Sequence, residues 1–61
     1  MIKFKFEAWI HPKNGGDDYP VHGSIDAISK EVATREIAKY LKKKSAMVDF
    51  QFIDEVLDEH V

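Results

Sequence analysis

The segment Ile2–His11, IKFKFEAWIH, constrains the fold most. Ile2, Phe4, Phe6, Ala8 and Ile10 share one parity, and Lys3, Lys5, Glu7, Trp9 and His11 share the other. A period of two is the mark of a strand with one buried and one wetter face. On a helix the two phenylalanines would be scattered around the circumference. The remaining apolar segments read as cover for this strand, which is expected at the centre of a small sheet.

Pro12 cannot donate to a ladder and should end the strand. Asn14, Gly15, Gly16, Asp17 and Asp18 are turn formers, so a hairpin loop longer than two residues is expected. A return strand over Tyr19–Ile25 follows. Pro20 assigns it to an edge, and Gly23 is a candidate bulge.

Ser29 suits a helix N-cap, with Glu31 in the first turn. Ile28 and Ala33 have the spacing of a hydrophobic staple. Val32, Ala33, Ile37, Tyr40 and Leu41 form one apolar stripe. Glu31–Arg35 and Glu36–Lys39 are candidate ion pairs. Lys42, Lys43 and Lys44 suit the C-terminal end of the macrodipole, and the helix should stop between Lys42 and Ser45. A third strand is expected at Met47–Ile53, with Val48, Phe50 and Phe52 inward and Asp49 and Gln51 outward. The tail from Asp54 could extend this strand or form a short helical turn.

The reading is one α+β domain over residues 1–61, β-β-α-β, with a three-stranded antiparallel sheet in the order 2-1-3 and the helix packed on one face. Across most of the chain, with a first strand, a return strand and then a cap, helix and final strand over Ala27 to Ile53, this order resembles small β-β-α-β ribosomal proteins of archaea. That resemblance implies an RNA-associated role.

Composition narrows function mainly by exclusion. With 44% hydrophobic and 33% charged residues the chain has the make-up of a folded domain, not of a disordered one. It has no cysteine, so a disulfide scaffold is excluded and a cytoplasmic setting is the expectation. Charges at Lys3, Lys5 and Glu7 interrupt the first apolar segment, unlike a leader or a membrane span. A net charge of −2 weighs against a dedicated nucleic-acid binder, which would usually be basic.

No cofactor is expected. The serines lack a base partner, and no glycine motif leads into a helix N-terminus. His11 and His22, with Asp17 or Asp18, have no spacing diagnostic of zinc, so no metal is expected.

The candidate contact surface is the outer sheet face: Trp9, Lys5, His11, His22, Gln51 and Ile53. Trp9 would be a partner anchor there, or else be covered by Val56 or Leu57 from the tail. The edge of the third strand has no proline and is the second candidate. Arg35, Lys39, Lys42, Lys43 and Lys44 are a possible phosphate-binding cluster. A 61-residue chain buries only about 60% of its unfolded surface, and such domains often gain stability by association. The expected function is a non-enzymatic interaction module that forms a homodimer or binds a protein partner, as regulator, inhibitor or accessory subunit. RNA association through the lysines is the alternative.

Overall fold

The computed structural model describes residues 1–57. Its order is β1 (Ile2–Ile10), β2 (Tyr19–Ala27), α1 (Lys30–Lys44) and β3 (Phe50–Leu57). The sheet is antiparallel in the order β2-β1-β3, with the longest apolar alternation, β1, at its centre as expected.

β1 and β2 pair without interruption from Ile2↔Ala27 to Ile10↔Tyr19. Gly23 is therefore not a bulge. It sits opposite Phe6, and a Cβ there would lie 2.8 Å from Phe6 Cζ, so the missing side chain makes room for the ring. The bulge lies on the other side of β1. Lys5 faces Asp54 and Phe6 faces Phe52, which leaves Ile53 as the extra residue. Past it, Glu55 and not an apolar residue stands opposite Phe4.

β3 begins at Phe50 and runs to Leu57, later at both ends than the sequence pattern suggests. Asp54–Leu57 is strand and not a helical turn. Val48 lies in the connector and is exposed. Residues 58–61 of the tail lie outside the described residues.

Ser29 caps α1, its hydroxyl accepting from the Val32 N–H at 3.2 Å. The helix ends without a glycine because Ser45 leaves it in extended geometry, while its N–H still reaches the Leu41 carbonyl at 2.7 Å. Ala33, Ile37 and Leu41 are its buried stripe; Val32 is half-buried and Tyr40 exposed. The Ile28 staple does not form, since Ile28 is 73% exposed. No Lys or Arg nitrogen lies within 4 Å of a carboxylate among the described residues, so neither expected helix ion pair forms.

Only Ile28 and Ser29 separate β2 from α1, so the helix must start above the end of β2. It packs over β2 and β1, and none of its Cα atoms comes within 8 Å of one in β3. The core has two parts: Phe6, Ala8 and Ile10 against Ile37 and Leu41, and Phe4 against Ala27 and Ala33. Phe50 and Phe52 flank it half-buried. Phe4–Phe52, Phe6–Phe50 and Phe50–Phe52 ring centroids lie 5.6, 6.4 and 5.5 Å apart, and such pairs contribute about 0.5–1.5 kcal/mol each beyond burial.

Candidate functional site

The outer face is built in rows across β2, β1 and β3. Asp26, Lys3 and Val56 form one row, and Ser24, Lys5 and Asp54 the next. In the third, His22 Nε2 lies 3.4 Å from one Glu7 oxygen, and Gln51 Nε2 donates to the other at 3.4 Å. Cross-strand partners of this kind fix the face against its neighbours. Lys5, His22 and Gln51 are thus brought together on one face, as their parity requires.

Trp9 is on the same face but only half-exposed, opposite Pro20. Its N–H donates to the Asp49 carbonyl at 2.9 Å. Val56 pairs with Lys3, toward the far end of β1 and roughly 20 Å from Trp9 at strand spacing, so it does not cover the indole; the Leu57 backbone pairs with Ile2, and its side chain lies outside those described. Ile53 is 52% exposed at the bulge and lies level with Lys5 and Phe6, not beside Trp9.

His11 holds the end of the sheet together. Its Nδ1 lies 2.8 Å from Asp18 in the hairpin loop, and its Nε2 lies 3.1 Å from Asp49 in the connector before β3. Its backbone N–H donates to Ser45 Oγ at 2.8 Å, and its carbonyl accepts from the Ala46 N–H at 2.7 Å. Ser45 is 2% exposed, the one buried polar residue among those described, and Pro12 bridges to it. The hydrogen bond to Asp49 raises the pKa of His11 above its ordinary value. Desolvation opposes this, and the contact and charge of Asp18 add to it. His22 is not part of this cluster. No three His, Asp or Glu side chains are placed to hold a metal ion among the described residues.

The Trp9 N–H points toward β3, so in an antiparallel ladder the odd residues of β1 bond to β3 and the even ones to β2. The outward backbone groups of β2 therefore belong to Pro20, His22, Ser24 and Asp26, with the missing proline N–H at the open edge. On the free edge of β3, one outward donor is already taken: the Glu55 N–H bonds to Asp54 Oδ1 at 2.8 Å. Ile53 and Val56 are exposed along this strand, at 52% and 43%.

Arg35, Lys39 and Lys42 form a solvent stripe opposite the buried face of α1, with Lys43 beside it. Lys44 lies apart, over the Tyr40 ring at 5.2 Å. Between α1 and β2 runs an open groove of about 330 Å³, lined mainly by Phe6, Val21, Ile25, Ile37 and Tyr40 and floored by Gly23. This groove and the role of Ser45 were not legible beforehand. A serine after a lysine run reads as a polar helix end, and only the return of the connector to His11 buries it.

Compared with protein-family models, curated proteins and solved structures, the chain matches none.

Proposed function

We propose that this protein is a small non-enzymatic interaction module that pairs with a second copy of itself along the β3 edge, acting as a regulator, inhibitor or accessory subunit. The observation that carries the reading is the offset of the helix. It stands closer to β1 and β2 than to β3, and leaves Phe50 and Phe52 half-buried at the flank of the core, with Lys30 of the helix over the Phe52 ring at 5.2 Å. Unpaired strand edges are templates for further pairing. Two copies related by a two-fold axis would set strip against strip and join their sheets into six strands. Such an isologous contact uses one patch twice. Trp9, half-covered and opposite Pro20, is the weaker anchor.

Sedimentation velocity at high micromolar concentration tests this. A dimer is expected for the wild type and for Trp9→Ala, and a monomer for Ile53→Asp, whose site is exposed and costs the fold little. A monomeric wild type refutes self-association. Loss of the dimer in Trp9→Ala, with Ile53→Asp still dimeric, moves the contact to the outer face.

A second reading rests on the exposed Arg35–Lys39–Lys42 stripe, whose cations have no carboxylate within 4 Å among the described residues. It is association with RNA through phosphates. Binding would then fall steeply with salt. Absence of binding at low salt removes it.

A further inference from the structure

The His11 cluster joins two segments that the sheet alone does not hold together. Residues 13–18 of the hairpin loop are all exposed, and the turn bonds within it are local: Gly15 N–H to the Pro12 carbonyl at 3.1 Å, and Gly16 N–H to Asn14 Oδ1 at 3.1 Å. The connector, by contrast, is anchored at the Asp49 carbonyl by Trp9 and at Ser45 by the His11 backbone. The imidazole spans the gap between them. Each ring nitrogen faces a carboxylate, 2.8 Å on the loop side and 3.1 Å on the connector side. A carboxylate only accepts, so both contacts are hydrogen bonds only when both nitrogens carry a proton. A neutral ring has one N–H, and its other nitrogen then turns a lone pair toward an acceptor.

We propose that Asp18–His11–Asp49 is a proton-operated clasp, shut when the imidazole is doubly protonated and opened on the loop side when it loses one proton. The loop side is the one that yields. Asp49 is held by its own backbone bond to Trp9, whereas Asp18 is the more exposed carboxylate, at 58% against 44%. Asp18 and Asp49 are the charged groups that act on the ring, and Ser45 at the end of α1 bonds to the His11 backbone N–H. Histidine is the side chain whose charge turns over near neutrality, so the clasp would work within the physiological range. It does not depend on association through β3.

The test is a pH titration of the full chain by two-dimensional NMR from about pH 5 to 9, following the His11 ring and the backbone amides of Gly15, Gly16 and Asp18. The ring midpoint is expected above about 6.5, with the loop amides moving along the same curve. In Asp18→Asn the midpoint should fall and the loop amides should no longer follow the ring. In His11→Gln, which keeps a side chain that can bond but not titrate, the loop amides should lose their inflection near neutrality. A ring midpoint at or below 6.5 overturns the clasp. So do loop amides that ignore the ring in the wild type, or an inflection that survives in His11→Gln.

Discussion

Substituting Gly23 by alanine probes the one place where β2 and the core touch through an absent side chain. The backbone of Gly23 is not in the left-handed region, so alanine can adopt it and only space decides the outcome. The new Cβ would lie 2.8 Å from Phe6 Cζ and 3.1 Å from Cε1. Carbon pairs are at rest near 3.5–4.0 Å, so the ring must retreat by roughly an ångström. Phe6 is 8% exposed and has the edge of Phe50 on one side and the open groove toward Tyr40 on the other. Overpacking of this kind costs about 1–3 kcal/mol. Restricting the unfolded chain at a former glycine returns about 0.4–1 kcal/mol. The net loss should be about 1–2 kcal/mol, near the lower end if Phe6 swings into the groove. For a domain of this size each kcal/mol lowers Tm by about 4–8 °C. Urea unfolding at fixed chain concentration measures it. The control is the same substitution in a Phe6→Leu background, where the ring is absent and Gly23→Ala should be neutral or slightly stabilising. Equal losses in both backgrounds, or a gain in the wild-type background, would refute the packing account.

Three further outcomes follow from the same contacts. Ser45→Ala should cost about 1–3 kcal/mol, because it removes the acceptor of the His11 N–H at a 2% exposed position; urea unfolding with the glycine variants as reference measures it. The pKa of His11 is raised in the folded state, so the stabilisation from its two carboxylate contacts should be fully present below about pH 6.5 and lost as pH rises through the raised value. Thermal melts of the wild type and His11→Gln across this range should converge on the alkaline side; divergence there reverses the sign and defeats the assignment. Deleting Ile53 should leave the pairs Phe6–Phe52 and Lys5–Asp54 in place, since Ile53 is the residue that β1 does not pair. Cross-strand NMR contacts check this, and a contact between Asp54 and Phe6 in place of Lys5 would contradict it.

The parts of the fold that could be read from the residues are those in which one periodicity runs unbroken. β1 is such a segment, and so is the Ala33, Ile37 and Leu41 stripe behind the Ser29 cap. Failures occurred where the local pattern continues past the point at which tertiary geometry changes. Val48 keeps the alternation of Phe50 and Phe52, yet the connector must first pass His11 on its way from Ser45, so the strand starts later. Ile28 has the spacing of a staple, but a two-residue link from Ala27 to α1 leaves it facing water. The site was legible in the same uneven way. Lys5, His22 and Gln51 share a face because parity alone puts them there. Asp18 and Asp49 meet on His11 through two loops of different lengths, and no period encodes that.

The bulge at Ile53 ties the fold to its surface. With the extra residue absorbed between Phe52 and Asp54, the acidic Asp54 stays beside Lys5 on the outer face, while Glu55 takes the inner position opposite Phe4. Among the residues whose side chains are described, apolar cover from β3 comes from Phe50 and Phe52, next to the connector, and Glu55 beyond the bulge carries charge on the side where a core would continue. A helix centred over the sheet would have to cover Glu55. The offset helix avoids that by standing over β2, where Val21 and Ile25 complete the core. The half-buried Phe50–Phe52 strip and the groove at β2 are then two consequences of one displacement: the helix moved toward one edge opens a slot along its flank there and leaves the aromatic surface at the other only partly covered. A partner that covers β3 therefore meets apolar surface at the Phe50 end and charge at the Glu55 end, which sets the direction in which a second strand can lie.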